Sequence, residues 1–138
     1  MKNEIILKEG FGELRFGMQI NQVISQIGNP SEVEEIGEDL EMPATVLYYE
    51  EKGLSLFFEN LDQERLSCIN IETEDILLFG KQIFGKTSKE IVELMRENKI
   101  FEQTMDKEEW GEERISYEEY AIDFFFLDDK LNSVTLGL

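Results

Sequence analysis

Histidine is absent from the 138-residue chain and cysteine occurs once. Without histidine there is no Ser-His-Asp or Cys-His triad and no imidazole to ligate a metal. A lone cysteine excludes an internal disulfide and a cysteine-cluster zinc site. Positive charge is scarce as well: 13 Lys and Arg stand against 31 Asp and Glu, a net charge of −18. Nucleic acid and anionic membrane are held through clustered Lys and Arg, so neither is expected as a partner. Long hydrophobic runs are missing. The opening Met1-Lys2-Asn3-Glu4-Ile5-Ile6-Leu7 is too short for a signal-peptide core, and no run approaches the roughly 20 residues that span a bilayer. Cys68 lies too deep in the chain for N-terminal lipidation, so a reducing, cytoplasmic location is expected.

What is present points to a folded chain. Hydrophobic residues make up 41% and aromatics 11%, and disordered acidic chains usually lack aromatics. A chain this long forms one compact domain, or two small units sharing a core. Self-similarity favours the second form. Phe16-Gly17 recurs 68 positions later as Phe84-Gly85, and Tyr49-Glu50-Glu51 recurs at the same offset as Tyr117-Glu118-Glu119. Val23, Ile24 and Ile27 match Ile91, Val92 and Met95. Leu54, Leu56, Phe57 and Phe58 match Ile122, Phe124, Phe125 and Phe126.

Each copy reads as an extended lead-in, a helix, an acidic connection and three strands. (The bland alternative is that two α+β stretches merely look alike.) Ile20, Val23, Ile24 and Ile27 form one stripe at helical period, and Gly28-Asn29-Pro30 stops it. Thr87-Ser88-Lys89-Glu90 has the spacing of a capping box. Leu54, Leu56 and Phe58 alternate with Ser55 and Phe57, while Ile122, Phe124 and Phe126 alternate with Asp123 and Phe125. The expected fold is therefore α+β, two tandem repeats spanning 1–77 and 78–138 and fused into one compact unit. In each, a helix packs on one face of an antiparallel sheet and the other face stays open.

Leu14-Arg15-Phe16-Gly17-Met18, followed by a helix ending in Ile27-Gly28-Asn29-Pro30, resembles the opening motif of a superfamily. It contains the β-lactamase-inhibitor-protein-like domains and the BamE-like lipoprotein domain. The resemblance implies a helix-backed antiparallel sheet whose exposed face grips another protein. Several bacterial toxin-immunity and inhibitor proteins are similar in size, acidity and lack of catalytic residues.

Candidate binding residues fall into two groups. No Lys or Arg occurs between Phe16 and Glu51, where Glu34, Glu35, Glu38 and Asp39 crowd one connection; Glu108, Glu109, Glu112 and Glu113 crowd the other. Such runs are either solvated loops or surfaces that steer a basic partner. On the face turned from the helices, Phe57 and Phe125 lie beside Tyr48, Asn70 and Asp123, and Trp110 stands in the second acidic segment. Aromatics in such a setting are binding anchors or are covered by a loop or subunit. Cys68, on the same face without a neighbouring base, reads as a small apolar filler. Glu50-Glu51 and Glu118-Glu119 fail as glycosidase pairs, since adjacent strand residues point to opposite faces. No calcium-loop pattern occurs, and the glycines at 10, 12 and 17 have the wrong spacing for a phosphate loop.

The expected function is a non-catalytic protein that binds and neutralises a protein partner. That partner is a basic toxin or enzyme, engaged without cofactor or metal by a monomer or homodimer. A structural or assembly module is the alternative.

Overall fold

A computed structural model describes residues 3–37, 43–60, 64–107 and 111–137. Its elements in the first half are β1 (Glu4–Ile6), β2 (Gly10–Phe11), β3 (Leu14–Arg15), α1 (Ile20–Ile27), β4 (Glu32–Ile36), β5 (Ala44–Tyr49), β6 (Leu54–Glu59) and β7 (Arg65–Ile71). The second half holds β8 (Leu77–Leu78), β9 (Lys81–Gln82), α2 (Ser88–Glu97), β10 (Thr104–Lys107), β11 (Glu112–Tyr117), β12 (Ile122–Leu127) and β13 (Lys130–Gly137). Single 3-10 turns at Glu50–Lys52 and Glu118–Tyr120 lead into β6 and β12.

The helices form where the sequence pattern places them. In α1 Val23 is fully buried while Ile20, Ile24 and Ile27 pack half-buried against the core. Gly28 ends the helix at φ 90°, a backbone that glycine adopts without cost. At the start of α2 the Thr87 hydroxyl accepts from the Glu90 amide at 3.2 Å, and the Glu90 carboxylate accepts from the Thr87 amide. That reciprocal pair is the capping box.

The strands gather into two sheets. Eight lie in the order β10-β11-β12-β13-β7-β6-β5-β4, every neighbour antiparallel. Five short ones lie in the order β3-β2-β1-β8-β9, where β1 and β8 run parallel. Burial alternates along β6 and β12, so Leu54, Leu56, Phe58, Ile122, Phe124 and Phe126 point to one side. That side meets Val23 of α1, Ile91, Leu94 and Met95 of α2, and Ile5, Phe11, Leu14 and Leu78 of the small sheet in one core. Main-chain bonds stitch the layers: Gly17 N–H donates to Leu66 O, and Gly85 N–H to Leu131 O.

Two tandem helix-on-sheet repeats are therefore not the architecture. β13 pairs directly with β7 from Val134↔Ile71 to Gly137↔Cys68, which merges the strands of both halves into one sheet. The small sheet likewise draws strands from residues 4–15 and 77–82. The chain is mostly β, with two short α-helices among the described residues. The acidic connections are also corrected, because Glu32–Ile36 and Thr104–Lys107 form the terminal strands of the large sheet.

Candidate functional site

The face of the large sheet turned from the helices carries no covering layer among the described residues. Strand register lines up Tyr48, Ser55, Asn70, Thr135, Asp123 and Ser116 in one row across six adjacent strands. At its centre the Thr135 hydroxyl donates to Asn70 Oδ1 at 3.0 Å, across the seam between β7 and β13. The Asn70 amide donates in turn to the Glu72 carboxylate at 3.3 Å. At one end the Tyr48 phenol donates to Glu34 at 3.4 Å. Burial, then the Glu34 and Glu32 carboxylates, push the Tyr48 phenol up.

Phe57 and Phe125 are both half-buried on this face but do not converge. Phe57 shares a row with Cys68 and Gly137, whereas Phe125 is paired with Ser133 and Arg114. Three strand spacings and four residues of rise separate them, roughly 20 Å. Two shallow depressions flank Thr135. One of ≈ 400 Å³ is lined by Asn70, Glu112, Phe125, Ser133 and Thr135 among others. The other, ≈ 390 Å³, includes Arg114, Ser116, Asp123 and Thr135. Burial, and to a lesser degree Asp123, push the Cys68 thiol up, which keeps it mostly protonated at neutral pH.

The described acidic candidates divide between β4 and β11, six strand spacings or about 29 Å apart. Glu34 and Glu35 stand exposed on β4. Glu112 faces the uncovered side, in register with Leu127, and lines the first depression. Glu113 faces the helix side opposite Phe126, its side chain 14% exposed and 3.7 Å from Lys107 Nζ. Its Oε1 has no hydrogen-bond partner among the described residues. Glu38, Asp39, Glu108, Glu109 and Trp110 lie outside the described residues.

Glu50-Glu51 and Glu118-Glu119 belong to the 3-10 turns rather than to strands, and all four are exposed. Among the described residues no group of three or more His, Cys, Asp or Glu is placed to hold a metal ion. No described helix is long and apolar enough to cross a membrane. Ser116 and Arg114 belong to the uncovered face and were missed from sequence. The alternation Glu112, Arg114, Ser116 against Glu113, Ile115, Tyr117 would have revealed them.

No protein-family model matches the chain, and no curated protein matches it. Among solved structures it is similar to an extracellular protein containing an SCP domain from Bacillus anthracis str. Ames. There the identity is 13% and the TM-score 0.48, over 86% of this chain and 42% of that one. It is also similar to a cysteine-rich secretory protein from Staphylococcus aureus subsp. aureus Mu50, at 17% identity and TM-score 0.46, over 86% and 43%. The chain thus spans less than half the length of either, and the likenesses carry no argument about activity, partner or site. The expected kinship with β-lactamase-inhibitor-protein-like and BamE-like domains is not supported: the similar solved structures are described as a protein containing an SCP domain and a cysteine-rich secretory protein. The immunity-protein reading drawn from that kinship goes with it. The expected cytoplasmic location is withdrawn too, because one similar protein is described as extracellular; the likeness is too slight to assign another.

Proposed function

We propose that the protein is a non-catalytic binding protein that engages a basic protein partner through the uncovered face of its large sheet. The observation that carries this reading is the contrast between the faces. One is sealed by two helices and a second sheet. The other is only half-buried at Tyr48, Phe57, Asn70, Asp123 and Phe125, although Val46 and Ser116 on it are buried, and the helices and small sheet pack on the opposite side among the described residues.

Physical size fits the role. Eight strands of about six residues make a surface of roughly 34 by 20 Å. Its area, about 700 Å², is close to the roughly 800 Å² each partner contributes to an ordinary interface. A mixture of aromatic and neutral polar groups suits an interface centre. The net charge of −18 speeds encounter with a basic partner and repels a second copy. Charge therefore works against the alternative of a homodimer joined through this face.

The test is capture of partners on the tagged chain, beside the Phe125→Asp and Asn70→Arg variants. Affinity is then measured at about 50 and about 500 mM salt, either side of the ionic strength where surface charges are screened. The reading predicts a basic partner, bound at least tenfold more weakly at high salt (~1.4 kcal/mol) and lost in both variants. Binding indifferent to salt and to both substitutions would contradict it.

A further inference from the structure

We propose that the partner docks an extended basic segment edge-on against β4, adding a ninth strand to the large sheet. The inference rests on the reading above and specifies where and how contact begins. β4 and β10 terminate the sheet. An antiparallel strand turns alternate N–H and C=O groups away from its neighbour, so each terminal strand offers a row of main-chain groups that meets no strand among the described residues. Such edges are templates for pairing unless they are blunted.

The two edges differ in how their charge is matched. On β10 the Asp106 carboxylate receives Arg114 at 2.6 Å, and Lys107 reaches Glu113 at 3.7 Å. β4 carries Glu32, Glu34 and Glu35, none ion-paired with a Lys or Arg among the described residues, within a stretch that has no base from Phe16 to Glu51. All five of its residues are exposed, Val33 at 55% and Ile36 at 39%. Among the described residues this edge is acidic and without ion pairs, with apolar side chains set between the charges.

Register dictates the complementary segment. Glu32, Glu34 and Ile36 lie opposite Tyr48, Val46 and Ala44, on the uncovered face. Val33 and Glu35 lie opposite Leu47 and Thr45, towards the helices. An antiparallel newcomer facing residues 36 to 32 in turn would carry apolar, basic, basic, apolar and basic side chains. Directly opposed side chains come within about 5 Å, where opposite charges attract and like charges repel. A second copy of β4 would set Glu against Glu, so the edge selects a basic strand and refuses its own kind. A strand added here also extends the uncovered face, making the docked segment continuous with the proposed contact surface.

The probe is a labelled peptide, acetyl-Thr-Val-Arg-Arg-Val-Arg-Thr-amide, titrated into the full chain at low salt. Beside it run two versions N-methylated at complementary sets of alternate residues. Amide NMR shifts map the site. The proposal predicts saturable binding with the largest shifts in residues 32–36. One N-methylated peptide should bind about tenfold more weakly, having lost two or three main-chain hydrogen bonds, and the other nearly normally. Glu34→Lys, at an exposed position, should weaken the parent peptide about tenfold. Equal binding by all three peptides, or shifts confined to β6, β7, β12 and β13, would overturn strand addition while the basic-partner reading stands. No binding by the parent peptide would also overturn it, and the captured partner then judges the wider reading alone.

Discussion

Gly53 follows the first 3-10 turn at φ 65°, and a Cβ built there would stand 2.7 Å from the Thr73 amide nitrogen. The space is closed because Glu72 N–H donates to Gly53 O at 2.7 Å, drawing the two backbones together. Gly53→Ala should cost about 2 kcal/mol or more, from backbone strain together with the steric clash. Chemical denaturation measures it. At the second turn Ala121 takes φ 50° itself, so the conformation does not by itself demand glycine. The close approach of Thr73 does, and it joins segments twenty residues apart that no local pattern connects. Single residues were otherwise legible where they alternate. Phe57, Cys68, Asn70, Asp123 and Phe125 occupy the face that a period of two assigns them. Tyr117, read from sequence only as part of a repeated tripeptide, is fully buried and edge-on to Phe124, with ring centroids 5.9 Å apart. Its phenol donates to Gln103 at 2.8 Å, and burial pushes it up to about 12.

Among the elements, α2 shows how a turn can secure a helix. Asp129 sits in the two-residue turn between β12 and β13, where Asp128 and Asp129 take φ 51° and 60°. Its Oδ1 accepts from the Ser88 amide at 3.1 Å and from the Ser88 hydroxyl at 2.8 Å. These bonds hold the Asp129 carboxyl below its usual range. A carboxyl depressed in the folded state adds stability that is complete above its unfolded pKa and is lost as pH falls through the folded value. Asp129→Asn should therefore destabilise the protein at neutral pH. The gap from the unmodified chain should close as pH drops below the ordinary aspartate range, measured by denaturation at a series of pH values. The helices and central strands were legible because each buries one stripe or one face. β4 and β10 were not, because a terminal strand exposed on both sides has no reason to alternate, and Glu32-Val33-Glu34-Glu35-Ile36 reads as a polar linker. The seam between β7 and β13 was hidden for another reason. Ile69, Ile71, Val134 and Leu136 announce buried strands, but nothing in their spacing names the strand each lies beside.

At the scale of the whole molecule, a single eight-stranded sheet sorts the chain into two surfaces of opposite character. The helix side spends nearly all the large apolar residues on one core. The uncovered side keeps mostly neutral polar groups with Asp123 along the middle, two separated phenylalanines and, at β4, an acidic edge with no ion pair among the described residues. The composition predicted the sign of the charge; the strand order decided where it collects. Cys68, the single cysteine, lies half-buried in the middle of the uncovered face, in register with Phe57 and Gly137. It is a built-in reporter of whether that face is occupied. The most direct measurement is the rate at which a thiol reagent modifies Cys68, with and without saturating captured partner. If a basic protein seats on the uncovered face, modification slows at least tenfold, and the unbound rate returns when salt dissociates the complex. An unchanged rate in the presence of a demonstrably bound partner would put the contact elsewhere on the molecule.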